Sequence, residues 1–356
     1  MSKYVVLVTG GSGFLGQHVV KHLQLYGVSV KEIRVLDKVP YEQKLEFEAK
    51  QSILSYTGSI TDRALVQQAC RDVDIVLHIA SMIDWSLFPN RKILHEVNIL
   101  GTQTIIETCK EENVPYLIYC GSSGIFAGPE ESRGGTETTV KHPSTLYFDA
   151  YAYSKLTAQE IVISANGTTL SNGKQLRTIA ILPLPMYGEL DYMAIPLSIR
   201  PFKGKTYPLV GRMTAILQYS YVGNTAMMFV KAAESIPNNP ALGGHFFFAA
   251  DDTPPDTLPG VMKPFLDLVG SRPSTWYIPY WFTMIMMFLF YCLLYIVRLF
   301  KTVNLPNLHF TFGSIAFLNT TFYVTYDKAK TLLGYEPIYD YDTAVRRSNI
   351  FYSKII

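Results

Sequence analysis

Short β-branched, apolar runs punctuate the first third of the chain, at residues 4–9, 33–37, 74–79 and 116–121. Each is nearly continuous in apolar side chains rather than alternating, the pattern of a strand covered on both faces. Between them, residues 14–26, 62–71 and 95–112 carry apolar side chains at three- and four-residue spacing, the period of a helix with one buried stripe. Strand and helix in strict alternation predict a parallel, doubly wound α/β sheet of Rossmann type. A further strand-like run at 177–182 is followed by Pro- and Gly-rich text from 183 to 244, which breaks the alternation and predicts a smaller lobe at the sheet's carboxyl edge. Ligands bind at that edge in such folds.

One stretch departs from a soluble profile. Residues 278–297 are twenty consecutive positions without a charge, preceded by Trp276, Tyr277, Tyr280 and Trp281 and followed by Arg298 and Lys301. A helix of that length, at about 1.5 Å per residue, matches a hydrocarbon core of roughly 30 Å. Aromatic residues at one end and basic ones at the other mark an interface anchor. The alternative is a buried core helix, although core helices seldom run so long without a polar stripe.

Composition and charge narrow the function. With 356 residues and 48% of them hydrophobic, the chain buries one large core, or a core and a smaller lobe. A formal charge of +2 with no basic block gives no electrostatic reason to expect nucleic acid as a partner. Cys70, Cys109, Cys120 and Cys292 have no CxxC or CxxH spacing and read as core residues in a reducing compartment. Strand-like sequence begins at Tyr4, leaving no room for a leader before it, so the first domain is expected in the cytosol or matrix. His78, His95 and His245 lie far apart without ligand spacing; each reads as structural, and no metal site is expected.

Two motifs carry chemistry. Thr9-Gly10-Gly11-Ser12-Gly13-Phe14-Leu15-Gly16 joins the first strand to the first helix. Gly10 permits a tight turn, Gly13 lets backbone amides approach a pyrophosphate at the helix N-terminus, and Gly16 allows the helix to pack close on the strand. Asp37, at the end of the second strand, accepts hydrogen bonds from adenosine ribose hydroxyls and repels a 2′-phosphate, which favours NAD over NADP; the neighbouring Lys38 softens that preference. In Tyr151-Ala152-Tyr153-Ser154-Lys155, Tyr151 and Lys155 share a helix face. A cation beside a phenol favours the phenolate, making tyrosine a candidate general base or acid. Ser122 and Ser123 end the strand-like run before them, and Ser123 is the candidate to hold a substrate oxygen.

With these residues in place the chain resembles an extended short-chain dehydrogenase/reductase, and within that superfamily the 3β-hydroxysteroid dehydrogenase/isomerase group, over nearly its whole length. The residues that carry the resemblance are Gly10 to Gly16, Ile33-Arg34-Val35-Leu36-Asp37-Lys38, His78-Ile79-Ala80-Ser81-Met82-Ile83-Asp84, Val97-Asn98-Ile99-Leu100-Gly101-Thr102 and Tyr151 to Lys155. Pro183 with Tyr187-Gly188-Glu189, Tyr221-Val222-Gly223-Asn224 and Asp251-Asp252-Thr253-Pro254 continue it. The resemblance implies that Tyr151 takes the proton of a 3β-hydroxyl while hydride passes to the nicotinamide. Lys155 then binds the nicotinamide ribose, and Ser123 positions the hydroxyl. It places Phe14, Leu15, Ser59, Ile60 and Ala80 with Gly10, Gly13, Gly16, Asp37 and Lys38 around NAD. The implied partners are a steroid or sterol and membrane lipid, with a homodimer open as the assembly. The implied location is the endoplasmic reticulum membrane with the catalytic domain cytosolic, the mitochondrial membrane being the alternative.

Two positions depart from the group. Phe248 stands where the group carries the tyrosine of its 5-ene to 4-ene isomerisation, so that step is weak or falls to another group such as Asp252. Ser59 stands where the group usually has an aspartate near the adenine. Rival readings are a 3β-dehydrogenase of sterols or bile-acid precursors that stops at the ketone, a non-catalytic NAD-binding sensor, and a nucleotide-sugar epimerase or dehydratase. The expected domains are an NAD-binding domain over 1–185, a substrate lobe over 186–275, a membrane-associated helix over 276–301 and a segment over 302–356 that packs on the body. The closing segment would keep both flanks of the apolar helix on one side of the membrane, so the anchor is expected to be monotopic or re-entrant, with 310–318 dipping beside it.

Overall fold

The computed structural model describes residues 4–211, 213–300 and 311–356. At its centre are seven parallel strands: β1 (Tyr4–Thr9), β2 (Val30–Asp37), β3 (Ser52–Thr57), β4 (Ile75–His78), β5 (Tyr116–Cys120), β6 (Arg177–Pro183) and β7 (Phe246–Ala249). Their order is β7-β6-β5-β4-β1-β2-β3. The chain runs outward from β1 through β2 and β3, then returns to β4 on the other side of β1. The crevice of a doubly wound sheet opens at that reversal.

The pleat assigns alternate side chains to opposite layers. Val6 and Val8 of β1 join the layer formed with Val19 and Val20 of α1 (Phe14–Tyr26), whereas Leu7 joins the opposite layer. The opposite layer is filled by α2 (Arg63–Cys70), α3 (Gly101–Glu111) and α4 (Asp149–Ser164), through Val66, Ile105 and Ala158. A fifth helix, α5 (Val222–Ser235), lies beside α1 and contributes Ala226, Phe229 and Val230 to the first layer. Because both faces are covered, β1, β4 and β5 read as nearly unbroken apolar runs, while β2 is interrupted by Lys31, Glu32 and Arg34. The edge strand β3 departs furthest: four of its six residues are exposed. Its text, Ser-Ile-Leu-Ser-Tyr-Thr, gives no buried-strand signal, and the sequence reading has no element there.

The stretch 186–275 does not keep to itself. Its residues Phe246–Ala249 form β7 and pair with β6, so the boundary drawn at 185 cuts through elements that the sheet interleaves. The apolar run Phe246-Phe247-Phe248 supplies cover for β6 that a surface lobe would not need. The outer edge of β7 is closed by side chains: Glu137 accepts the Phe248 N–H at 2.9 Å, and Lys328 donates to the Phe246 carbonyl at 2.8 Å. The remainder of the stretch adds Thr206–Val210, paired in parallel with Arg272–Ile278, and α6 (Leu258–Leu268).

Next comes α7 (Tyr280–Phe300), the apolar helix, with only Thr283, Met287 and Leu294 buried. Cys292 is exposed on it, unlike Cys70, Cys109 and Cys120, which are in the core; the expectation of four core cysteines fails where the helix turns its apolar side outward. Lys301 and Phe310 lie outside the described residues. The rest of the segment expected to dip into lipid forms α8 (Phe312–Phe317), whose Ile315 is buried against the body and whose start is fixed by a Thr311–Ser314 capping box. Last is α9 (Tyr341–Ile355), which docks on the body. Arg347 pairs with Glu189 at 2.7 Å, and Tyr352 Oη takes the Gly188 N–H and donates to Asp191, both at 3.0 Å.

Candidate active site

The turn after β1 fits a dinucleotide. Gly10 has φ +72°, and a Cβ there would lie 2.7 Å from the Ala80 nitrogen; a Cβ on Gly16 would lie 2.0 Å from the Gly10 oxygen. Those two glycines are required by the protein's own packing. Gly13 is different: a Cβ on it would meet nothing nearer than the Gly10 oxygen at 3.3 Å, so the space it leaves open is space for a ligand. Gly13 is also the N-cap of α1, with no side-chain cap and no acidic residue in the first turn. The first amides of the helix and its positive dipole end are therefore available to an anion.

The other candidate residues lie along the same carboxyl edge of the sheet. Asp37 ends β2, where its carboxylate accepts the Ser12 N–H at 3.0 Å and the Val39 N–H at 3.3 Å, which holds it beside the glycine turn next to the exposed Lys38. Ala80 follows β4 and donates to Thr9 Oγ1 at 3.1 Å. Phe14 and the buried Leu15 open α1. Ser59 follows β3 and shares a hydrogen bond with Thr61, while Ile60 is buried against Gly101 rather than free for a ligand. His78 is structural as expected, bonded to Thr9 Oγ1 at 2.8 Å and Thr102 Oγ1 at 3.0 Å, and burial lowers its pKa to about 3.

Tyr151 and Lys155 sit in the first turns of α4, across from the end of β5. Lys155 is buried, donates to the Cys120 carbonyl at 2.6 Å and lies 4.5 Å from the Tyr119 ring centre. No carboxylate pairs with it among the described residues, and burial lowers its pKa to about 8. An ammonium has three donors, so two remain beyond the Cys120 bond. The ammonium is turned towards the Cys120 carbonyl. Burial pushes the Tyr151 phenol well above its usual pKa, the neighbouring Cys120 adds to that, and a hydrogen bond to Ser122 offsets part of it. Ser122 caps the following turn by accepting the Gly124 N–H at 3.1 Å. Ser123, the residue singled out from sequence, is buried one position further on. Both serines lie past the end of β5, where a 3-10 turn over Ser123–Phe126 begins.

Asn98 is the site residue that sequence reasoning passed over. The expected helix at 95–112 is interrupted by a π-helical turn, His95–Leu100, before α3 begins. The wider turn carries Asn98 inward, where its side chain holds both the N–H and the carbonyl of Met82 and donates to Ser154 Oγ at 2.9 Å. It thereby ties the loop after β4 to the helix turn that bears Lys155. A lone asparagine among Val97, Ile99 and Leu100 was the available signal. Asp252 lies past the end of β7, its carboxylate accepting the Tyr326 hydroxyl at 2.7 Å. Phe248 is fully buried, its ring 5.5 Å from Phe126 and 5.7 Å from Phe246. Among the described residues no group of three or more His, Cys, Asp or Glu is placed to hold a metal.

A sheet with its glycine turn and a Tyr/Lys helix at one carboxyl edge defines a short-chain dehydrogenase type of site. The chain belongs to the 3-beta hydroxysteroid dehydrogenase/isomerase family, whose sequence model matches residues 7–279. Solved structures with the same fold include a UDP-glucose 4-epimerase from Thermus thermophilus in complex with NAD. It is 20% identical, with a TM-score of 0.70 over 99% of this chain and 100% of that one. A dTDP-glucose 4,6-dehydratase from Bacillus anthracis, also in complex with NAD, is 18% identical with a TM-score of 0.68 over 99% and 97%. A UDP-glucose 4-epimerase from Thermotoga maritima with UDP-glucose is 18% identical with a TM-score of 0.69 over 99% of each chain.

Proposed function

We propose that this protein is an NAD-dependent dehydrogenase that oxidises the 3β-hydroxyl of a steroid or sterol to the ketone. The observation that carries the reading is the placement of Tyr151 and Lys155 on the first turns of α4, with Ser122 and Ser123 just past β5, at the edge where the glycine turn and Asp37 open, in a chain of this family. NAD, when bound, supplies the hydride acceptor. Gly13 and the start of α1 would hold its pyrophosphate, Asp37 its adenosine ribose, and the two spare donors of Lys155 its other ribose. Tyr151 exchanges a proton with the substrate hydroxyl, Ser122 fixes the distance between them, and Asn98 holds the turn on which Lys155 stands. Burial raises the pKa of the phenol, so Tyr151 must lose its proton before it can act as base in oxidation. The exposed apolar face of α7 supports a membrane-held enzyme, at the endoplasmic reticulum with its body in the cytosol or at a mitochondrial membrane.

Phe248 favours a second reading, a 3β-dehydrogenase that stops at the 5-ene-3-ketone, because a buried phenyl ring has no proton to give. One experiment decides between the two. Detergent-solubilised protein is given NAD and a 3β-hydroxy-5-ene steroid, with NADH and the conjugated 4-ene-3-ketone followed together and Tyr151→Phe as control. Both signals, lost together in the variant, establish the two-step enzyme. NADH without the conjugated ketone establishes the dehydrogenase alone, and no NADH with any side-chain length sinks the steroid reading.

A further inference from the structure

Lys155 stands over a side chain that the chemistry above leaves unused. The centre of the Tyr119 ring, on β5, lies 4.5 Å from its ammonium nitrogen. Tyr119 is 1% exposed and belongs to the layer that Ile105 of α3 and Ala158 of α4 fill. Its hydroxyl has no hydrogen-bond partner among the described residues, so what this side chain offers its neighbours is its ring.

The face of an aromatic ring carries negative charge density and attracts a cation most strongly where water is excluded. That attraction differs from the pull of a carboxylate in two respects. It does not neutralise the ammonium, and it asks for no particular donor. No carboxylate pairs with Lys155 among the described residues, so the ring and the Cys120 carbonyl at 2.6 Å hold the charge in the ligand-free protein. The carbonyl takes one N–H, and the ring fixes the ammonium while the others stay free for a ligand.

The ring is itself pinned. Tyr119 is in register with His78 on β4 and with Ala180 on β6, and the His78 ring centre is 5.7 Å from its own. His78 is tied at both nitrogens, to Thr9 Oγ1 and Thr102 Oγ1. Thr9 leads into the glycine turn, and its Oγ1 also accepts the Ile79 and Ala80 N–H groups, both at 3.1 Å. The platform beneath Lys155 is thus set by the strand end that sets the dinucleotide turn.

We propose that Tyr119 is a positioning residue: its ring face keeps the Lys155 ammonium charged and in place, one helical turn from Tyr151, without occupying the donors that a bound ribose needs. The kinetic consequence rests on the dehydrogenase reading above; the hold of the ring on the ammonium does not. The groups around Lys155 leave its titration readable. Burial pushes the Cys120 thiol up to about 11 and His78 down to about 3, and it raises the Tyr119 and Tyr151 phenols. Near pH 8, Lys155 is therefore the one of these groups that changes charge.

The test varies the ring at constant shape. Tyr119→Phe keeps the face and removes the partnerless hydroxyl, and analogues of that phenylalanine with one to three ring fluorines drain the negative face while preserving the packing. Each protein is made with and without Lys155→Met, and the stability difference of the pair is followed against pH by thermal unfolding without ligand. The pH at which the difference starts to close reports the Lys155 pKa. Weakening a contact made only by the charged form must lower it. Tyr119→Phe is expected to leave it in place, and the fluorine series to lower it stepwise, by about one pH unit, tenfold in the protonation equilibrium, at three fluorines. A value that stays constant across the series refutes the proposal. So does a fall in Tyr119→Phe as large as that at three fluorines, which would assign the effect to the hydroxyl.

In turnover, the alkaline limb of the kcat/KM profile for NAD, measured with a 3β-hydroxysteroid, is expected to move down in the same order, because that limb reports groups of the free enzyme. A limb that stays fixed while the unfolding titration shifts refutes the positioning role. If the parent protein oxidises no 3β-hydroxysteroid, the steroid reading falls by itself, and the unfolding series still decides whether the ring holds the ammonium.

Discussion

Lys155 and Arg347 are both cations drawn out of water, and the protein treats them in opposite ways. Burial pulls against the charge of Arg347, but the Tyr221 and Glu189 oxygens around it raise its pKa above the usual value. Its guanidinium pairs with Glu189 at 2.7 Å and donates to Tyr221 Oη at 2.8 Å, and it lies 5.0 Å from the Tyr339 ring centre. Lys155 is more deeply buried and has one carbonyl and one aromatic face. A cation whose partners are all present holds structure together. One left short of partners costs stability and is kept for a ligand that completes it.

That contrast is open to direct attack. The largest effect is expected from Tyr151→Phe, which removes the exchangeable proton and lowers kcat by about a thousandfold with the melting temperature unchanged, read by steady-state kinetics and thermal unfolding. Lys155→Met separates the two roles of the lysine. Turnover falls by at least about a hundredfold, yet the ligand-free protein becomes more stable by about 2–3 kcal/mol. Its size depends on pH in a defined way. The folded pKa of about 8 lies below the ordinary 10.5, so the cost of burying the ammonium is fully present below pH 8 and is relieved as pH rises from there towards 10.5. Thermal unfolding of parent and variant across that range should show the gap closing; a gap that widens refutes the account. Glu189→Gln is the mirror image, costing about 1–2 kcal/mol because Arg347 is a third exposed, with KM and kcat of the folded enzyme unaltered. The smallest effect is expected from Asp37→Ala, which narrows the preference for NAD over NADP by about tenfold, measured as the ratio of kcat/KM values.

What was legible in the chain follows from the same physics. β1 and α1 were readable residue for residue, because a continuous apolar run and apolar side chains at three- and four-residue spacing are different periods, even though α1 is buried on every side from Leu15 to Gln24. β3 was not, since an edge strand with four exposed residues imposes none. The glycine turn declared itself through spacing, whereas the placing of Ser122 and Ser123 depends on a 3-10 turn that begins past the strand end and leaves no periodic mark in the sequence. Tyr151 and Lys155 were found by their four-residue spacing. Their electrostatics were not legible, because burial dominates the phenol and the lysine is turned towards Cys120. Asn98 escaped because a π turn shifts the register of a helix without leaving a mark in its apolar pattern. The return of Phe246–Ala249 to the main sheet is a long-range pairing that no local window contains.

The docking of α9 also sets an order of events in biosynthesis. Tyr339, just before α9, packs its ring 5.9 Å from that of His22 on α1, and Arg347 closes on Glu189 beside the Tyr187-Gly188 turn. Helices α1 and α9 therefore belong to one packed body although more than three hundred residues separate them, and that body cannot close until α9 has left the ribosome. Throughout that interval the apolar α7 has already emerged while the segment that fixes its far flank is still being made. The nascent chain must be sheltered from aggregation during this window, which makes its maturation sensitive to the supply of chaperones or membrane surface at the site of synthesis.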